Sequence, residues 1–176
     1  MNHNILFAGF GGQGILFSGK VVAYSGLIEE KEVSWLPSYG PEMRGGTANC
    51  SVCISEEQIS SPLVLTPDAL VVMNLPSYDK FINSVVPGGL VILDSTLINK
   101  KCERTDIKVF YIDATRLAKE NGLDGLANIV IIGKLLKESG FATYESVEKS
   151  ISKCVPPSKS HLIVKNMEAI RLGMSM

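Results

Sequence analysis

The chain is poor in the side chains that most often catalyse reactions or bind zinc. It contains only two histidines, and His3 and His161 lie far apart in the sequence. Zinc sites need clustered Cys and His side chains, and imidazole is the commonest general base. The sequence also shows no nucleophile beside a base and no paired carboxylates at a plausible spacing. This inventory argues against a zinc site and against a complete catalytic site within the chain.

An excess of charge of either sign is also absent. Lys and Arg number 17 and Asp and Glu number 18, which leaves a formal net charge of -1 at pH 7. A surface that binds nucleic-acid phosphates needs a basic excess. The composition therefore argues against a nucleic-acid partner.

A long hydrophobic run and a secretory signal are missing as well. No run approaches the roughly 20 apolar residues that a membrane-spanning helix needs. The start of the sequence, residues 1–4, has no basic stretch before the first apolar run. Four cysteines without such a signal are typical of free thiols in a reducing compartment. We therefore expect a cytoplasmic protein with no membrane contact.

Short apolar runs alternate with segments of helical spacing, which predicts an α/β fold. We expect three layers, α/β/α, around a mostly parallel sheet, with a helical C-terminal third and a single domain over residues 1–176. One connection is too short for a crossover helix, so the sheet should be mixed. The predicted strands are Ile5–Ala8, Glu32–Leu36, Thr47–Ile54, Ala69–Met73, Leu90–Asp94 and Lys108–Ile112. The predicted helices are Ile15–Ile28, Pro76–Val85, Ala114–Asn121, Asn128–Ser139, Tyr144–Lys153 and Ser158–Leu172.

The glycine-rich stretch Gly9-Phe10-Gly11-Gly12-Gln13-Gly14 matches G-x-G-x-x-G between a predicted strand and a predicted helix. In that context the pattern binds the pyrophosphate of a dinucleotide at a helix N-terminus. Two observations weaken this interpretation: Glu29, Glu30 and Glu32 precede or begin the second strand rather than end it, and Gln13 places an amide where a phosphate would lie. Three interpretations stay open: dinucleotide binding, a tight turn that packs helix on sheet, and a docking loop of another kind.

The four cysteines are expected to be structural. Cys50 and Cys53 have C-x-x-C spacing, but they fall in an alternating strand pattern, where positions three apart face opposite sides. Cys102 and Cys154 are isolated, so no second pair completes a four-thiolate cluster. We expect no iron–sulfur cluster in this chain.

Several polar residues stand at predicted element ends. Asp94 and Asp113 end apolar strands, where open α/β sheets place ligand sites, although such acids also cap helices. Asp113 fits a helix N-cap, and Asn128 is predicted to cap the helix that follows it. Gly133 is predicted to allow close helix packing.

The segment Tyr39-Gly40-Pro41-Glu42-Met43-Arg44-Gly45-Gly46 is stiff, charged and rich in glycine. Pro41 fixes its own backbone, and the two adjacent glycines allow a sharp turn or a close approach. Glu42 and Arg44 lie between them on a segment with little freedom. Such a loop is suited to presenting charge to a ligand or a partner protein.

Taken together, three stretches resemble the gamma subunit of the 2-oxoacid:ferredoxin (acceptor) oxidoreductases over essentially the whole chain. They are the glycine motif, the run from Trp35 to Gly46, and Asn128-Ile129-Val130-Ile131-Ile132-Gly133. The second stretch is the specific one. The resemblance is greatest to the 2-oxoglutarate type.

The resemblance implies a subunit of an enzyme that decarboxylates a 2-oxoacid oxidatively with coenzyme A (CoA), giving acyl-CoA, carbon dioxide and reduced ferredoxin. Thiamine diphosphate, Mg²⁺ and iron–sulfur clusters would belong to the alpha, beta and delta subunits, and none would be bound by this chain alone. The gamma subunit would serve assembly and complete the CoA side of the active site. Its partner surface should be apolar at the centre, and the free chain could self-associate.

Carried onto this sequence, the resemblance implies two groups of site residues. Gly11, Gly12, Gln13 and Gly14 would form an anion-facing or partner-facing loop, with Asn128 beside them. Tyr39, Glu42, Arg44, Gly45 and Gly46 would lie toward the same edge of the sheet. Arg44 could pair bidentately with a carboxylate or phosphate. The competing hypotheses are an independent NAD- or FAD-binding oxidoreductase domain and a module that serves assembly only.

Overall fold

The computed structural model describes residues 2–38 and 47–176, which form a six-stranded sheet with helices on both faces. The strands are β1 His3–Phe10, β2 Glu32–Ser38, β3 Thr47–Ser55, β4 Ala69–Val72, β5 Leu90–Asp94 and β6 Lys108–Ile112. The helices are α1 Ile15–Ile28, α2 Leu75–Phe81, α3 Ala114–Glu120, α4 Ala127–Ser139, α5 Tyr144–Cys154 and α6 Leu162–Met174. In these ranges no helix combines the length and the apolar character needed to cross a bilayer.

The sheet has the strand order β2-β3-β1-β4-β5-β6. Strands β1, β4, β5 and β6 are parallel neighbours, whereas β3 pairs antiparallel with both β1 and β2. The predicted mixed sheet is therefore confirmed. The antiparallel part follows from the connection between β2 and β3, residues 39–46, because a parallel crossover needs a dozen residues or more.

Alternating side chains of the sheet enter two separate cores, as the strand period requires. On β1, Ile5 and Phe7 face a core covered by α1 and α3 to α6, while Leu6 and Ala8 face a smaller core. The smaller core is covered by α2, by the 3-10 turn Ile82–Ser84 and by loop residues such as Val64. The predicted three layers are present, with one helical layer much thicker than the other.

The predicted close packing at Gly133 is confirmed where α4 crosses α6. A Cβ atom at Gly133 would overlap the carbonyl oxygen of Ile170, and one at Gly173 would overlap that of Val130. Each glycine thus lets the backbone of one helix touch the backbone of the other. This crossing anchors α6 on the larger core.

The last predicted helix, Ser158–Leu172, is wrong at its start. Residues Pro157–Lys159 form a 3-10 turn, and α6 begins only at Leu162. The amide of Ser160 donates to Pro157 O and that of Ile163 to Ser160 O. Hydrogen bonds between residues three apart, the 3-10 pattern, therefore connect the turn to α6. His161 therefore precedes the helix in which it was predicted to lie.

The predicted placement of Cys50 and Cys53 on opposite faces of their strand is confirmed. Cys50 packs in the larger core and Cys53 in the smaller one, so the two thiols lie on opposite faces of β3. All four cysteines are free, and only Cys102 is partly exposed. Burial raises the pKa of the Cys50 thiol to about 12, against a smaller lowering by the hydrogen bond from Trp35. This thiol is therefore protonated and not a nucleophile near neutral pH.

Candidate site at the carboxyl edge of the sheet

The carboxyl ends of β1, β4, β5 and β6 meet at one edge of the sheet, which we call the carboxyl edge. The glycine loop, residues 9–14, leaves β1 there. The described residues that flank the stiff segment lie at the same edge, because Thr47 pairs with Phe10 and Ser38 with Asn49. Tyr39, Glu42, Arg44, Gly45 and Gly46 themselves lie outside the described residues, so their roles stay predictions.

The side-chain amide of Gln13 closes the gap where β1 and β4 separate. The amide of Phe10 donates to Gln13 Oε1 at 2.6 Å, and Gln13 Nε2 donates to the carbonyl oxygen of Met73 at 2.8 Å. One step earlier, Met73 N still donates directly to Ala8 O. The Gln13 amide thus takes the place of a peptide group and extends the ladder by one step. It braces the loop, and both of its polar atoms are already engaged.

This geometry does not favour dinucleotide binding. In the dinucleotide-binding fold the second strand lies next to the first, and the ligand enters the crevice where strand order reverses. Here the antiparallel β3 lies between β1 and β2. The corresponding crevice, between the ends of β1 and β4, holds the Gln13 amide.

Asn128 meets the glycine loop, although it does not cap α4 as predicted. The residue before the helix is Leu126, so Asn128 is the second residue of α4 and is buried. Its Nδ2 donates to the carbonyl oxygen of Gly14 at 3.2 Å and to Ser18 Oγ at 3.1 Å. No described residue donates to its Oδ1. Asn128 therefore joins the start of α1 to the start of α4.

Two cavities flank the glycine loop. One, of about 320 Å³, is lined by Gly12, Gln13 and Asn128 together with Lys119 and Asp124. The other, of about 270 Å³, lies against the first turn of α1, with Gly11, Gly14 and Ala48 in its wall. Gly14 has a left-handed backbone, with φ of 75°, and no side chain caps the helix that it precedes. The structure thus brings Gly11, Gly12, Gln13, Gly14 and Asn128 together.

Asp113 does not cap α3 as predicted, and Asp94 takes that role. Asp113 precedes α3, but its carboxylate accepts from Ser95 Oγ and pairs with Arg116 instead of capping the helix. The carboxylate of the fully buried Asp94 accepts from the amide and hydroxyl of Thr115 in the first turn of α3. It also accepts from the amide of Thr96. The cap of α3 is thus supplied from β5.

Sequence reasoning missed an apolar rim around the glycine loop. Phe10 is the last residue of β1, and Leu75 and Leu97 lie three residues after the ends of β4 and β5; each of the three is 40–45% exposed. Such residues could have been noticed as large apolar side chains placed just after buried strands. Exposed apolar groups that cluster around a rigid loop are typical of a protein-binding surface.

The described residues contain no group of three or more His, Cys, Asp or Glu side chains that could hold a metal ion. The carboxyl edge offers backbone amides, glycine surfaces and apolar side chains, which can bind and position a ligand or a partner.

Comparison with known proteins agrees with this picture. The profile of the family described as "Pyruvate ferredoxin/flavodoxin oxidoreductase" matches residues 4–176. The 2-oxoglutarate synthase subunit KorC of Methanocaldococcus jannaschii is 37% identical over 176 residues, which cover 98% of this chain and 92% of KorC. The ketoisovalerate oxidoreductase subunit VorA of Methanothermobacter thermautotrophicus is 35% identical over 169 residues, or 96% of this chain. The chain spans only 35% of the length of that VorA.

A solved structure shows the same fold. The gamma subunit of a keto/oxoacid ferredoxin oxidoreductase from Geobacter sulfurreducens superposes with a TM-score of 0.84 and is 28% identical in sequence. The match covers 98% of this chain and 96% of that subunit. The profile and the relatives together show that the chain belongs to the pyruvate ferredoxin/flavodoxin oxidoreductase family, as its resemblance to the gamma subunits predicted.

Proposed function

We propose that this chain is the gamma subunit of a multi-subunit 2-oxoacid:ferredoxin oxidoreductase, with 2-oxoglutarate as the substrate. The holoenzyme would decarboxylate the 2-oxoacid oxidatively with CoA and pass the electrons to ferredoxin. The near full-length similarity to KorC supports 2-oxoglutarate. The alpha, beta and delta subunits are the proposed partners and the proposed carriers of thiamine diphosphate, Mg²⁺ and iron–sulfur clusters.

One observation carries the role proposed for this chain, which is to dock at the active site of its partners and complete the CoA side. The glycine loop is braced internally by Gln13 and Asn128 and is surrounded by the apolar rim. A loop braced by such side-chain hydrogen bonds presents backbone and apolar surface in a fixed position, which suits a protein interface.

Two features of the chain are proposed to receive the anionic groups of CoA. The start of α1 carries no side-chain cap, so its first amide groups and helix dipole favour an anion beside Gly11 and Gly12. Arg44, on the stiff segment, would supply a guanidinium for a phosphate. When bound, CoA would accept the acyl group, and this chain would orient it and exclude water.

Purification of the tagged chain from its native cytoplasm tests the proposal. We expect partner chains that bear thiamine diphosphate and iron–sulfur clusters, and a 2-oxoacid- and CoA-dependent reduction of a viologen dye. A panel of 2-oxoacids then identifies the substrate. A chain that is recovered alone and binds NAD would overturn the proposal and favour the independent dinucleotide-binding domain.

Two substitutions separate docking from CoA binding. Leu97→Asp in the apolar rim should reduce recovery of the complex, whereas Leu65→Asp should not. Leu65 is 71% exposed and lies outside the rim, in the loop before β4, where its neighbour Val64 hydrogen-bonds to Ser51 in the middle of β3. Arg44→Ala should leave assembly intact and raise the KM for CoA, with Arg171→Ala in α6 as the control. An unchanged KM for CoA in the assembled Arg44→Ala enzyme would favour the competing hypothesis that this chain serves assembly only.

A further inference from the structure

Helix α1 has an outward face that is almost entirely apolar. At about 100° per residue, one stripe of the helix points away from the sheet. Tyr24 and Leu27 in this stripe are 37% and 52% exposed. We call the stripe the α1 stripe; its members, all at least partly exposed, are Leu16, Phe17, Lys20, Tyr24, Leu27 and Ile28.

The neighbouring helix α5 shows that an apolar outward face is not a property of this layer. Its exposed positions include Glu145, Glu148 and Lys149, and Glu145 pairs with Lys149. A solvated helix normally carries polar side chains on its outer face, while a helix that is apolar all round is normally covered on all sides. α1 therefore has the composition of a helix with a second surface packed against it.

The edge strand β2 extends the stripe sideways. Trp35 is 40% exposed, and its indole lies directly beside Gly19 of α1. β2 is at the end of the sheet and pairs only with β3 among the described strands. Trp35 thus borders α1 next to the stripe, and we refer to the stripe and Trp35 together as the patch.

Two charges of opposite sign border this patch. Lys20 lies within the stripe, with its Nζ 5.8 Å from the centre of the Tyr24 ring, and Glu30 follows the end of the helix. Neither forms an ion pair with a described residue, in contrast to Glu29 and Lys31, which pair with each other. Among the described residues, the patch therefore has one cation and one anion that lack an ion-pair partner.

The backbone at Glu30 strengthens this point. Among the described residues it is the one non-glycine with positive φ, at 60°. The amide of Glu30 donates to Leu27 O and that of Lys31 to Gly26 O, which is the helix ending where glycine is preferred. A side chain there costs about 1 kcal/mol. Glu30 thus has a backbone conformation that glycine would adopt with less strain. The side chain is therefore a candidate for a contact outside the helix end itself.

We propose that the α1 stripe binds a second copy of this chain, with the two α1 helices antiparallel across a two-fold axis. Residues 20 and 30 are equally far from residue 25, so an axis at that level brings Lys20 of one copy to Glu30 of the other, twice. The same axis sets residue i of one copy opposite residue 50 − i of the other, so Tyr24, Leu27 and Ile28 of the two copies cover each other. Leu16 and Phe17 then lie beyond the partner helix, which ends at Ile28. Such an interface is self-complementary, as a two-fold dimer requires.

Charge reversal in the purified full-length chain tests this arrangement by sedimentation over a concentration series. We expect the parent to self-associate and Lys20→Glu or Glu30→Lys to weaken association tenfold or more, because each creates two like-charge contacts. A mixture of the two single variants should associate again, since each copy then offers the opposite charges. The double variant should also recover association. Lys149→Glu on α5 is the matched control.

A second variant covers the apolar contribution. Leu27→Asp should abolish association while the circular dichroism spectrum stays that of the parent. A parent that is monomeric at all concentrations would overturn the proposal, as would association that is insensitive to both Leu27→Asp and charge reversal. A stripe that is protected from hydrogen exchange only in a complex with other chains would assign it to a different partner. The association is measured on the chain alone and does not depend on the proposed enzymatic role.

Discussion

The two edges of the sheet differ in how they treat buried polar side chains. At the carboxyl edge, Asp94, Gln13 and Asn128 each hydrogen-bond to a second loop or helix. At the opposite edge, Nε2 of the buried His3 has no described partner, and burial raises the pKa of Asp68 to about 6. The carboxyl edge is thus held rigid by hydrogen bonds between its polar groups. At the opposite edge, which we call the amino edge, hydrogen bonds only partly offset the cost of burying His3 and Asp68. The difference predicts large stability losses at one edge and pH-dependent effects at the other.

Removing the carboxylate of Asp94 should have the largest effect. Asp94→Ala leaves the amide and hydroxyl of Thr115 without their acceptor in a fully buried site. We expect a loss of about 3 kcal/mol in the free energy of unfolding, measured by urea denaturation. Asp113→Ala is the control, because that carboxylate is exposed and pairs with Arg116 at the surface, where the expected cost is below about 1 kcal/mol. Equal losses would contradict a special role for Asp94 in rigidity.

Gln13→Met should have the next largest effect. The substitution keeps the length of the side chain but removes both hydrogen bonds that close the gap between β1 and β4. We expect a loss of about 2 kcal/mol and faster hydrogen exchange at the amide of Phe10. Gln58→Met, at an exposed loop position, serves as the control. Unchanged protection of the Phe10 amide would show that the brace is not needed.

The polar residues of the carboxyl edge also show what the sequence can and cannot predict. The bounds of α1, β5 and β6 were predicted to the residue, because local breaks in the apolar pattern mark most of these ends: Gly14 precedes α1, Pro87-Gly88-Gly89 precedes β5 and Asp113 follows β6. The roles of the polar residues were not predicted, because they depend on distant partners: Thr115 is 21 residues from Asp94, and Gly14 is 114 residues from Asn128. Local spacing made Asp113 and Asn128 plausible caps, but tertiary contacts decided otherwise.

At the amino edge, Asp68→Asn should change the dependence of stability on pH. Burial is the main cause of the raised pKa, and the hydrogen bond from the Asn4 amide opposes it. The folded-state pKa of about 6 lies above the ordinary value of 3.8. The folded protein therefore binds the Asp68 proton more tightly than the unfolded chain does. This tighter binding stabilises the fold fully below about pH 4, and the stabilisation is lost as pH rises through about 6.

Asparagine keeps an oxygen acceptor for Asn4 and cannot ionise. We expect Asp68→Asn to be more stable than the parent by about 1 to 2 kcal/mol at pH 8, after allowance for solvent screening, and equal to it near pH 4. Urea midpoints across this range are the measurement. A constant difference at all pH values would mean that packing, not ionisation, distinguishes the two proteins.

His3 should produce the smallest change, with the opposite slope. Burial is the main cause that lowers the pKa of His3 below its ordinary value of 6.5, and nearby Lys31 lowers it further. The neutral ring is therefore favoured in the fold, so stability is full above pH 6.5 and falls as pH decreases through the lowered pKa. His3→Phe fills the same space without a proton to bind or an unpartnered nitrogen. It should reduce the loss of stability at acid pH and leave unchanged the loss at alkaline pH, which comes from Asp68.

His161→Phe is the control, because that ring is exposed. If His3→Phe left the acid side unchanged, the loss of stability in acid would have to come from groups other than His3.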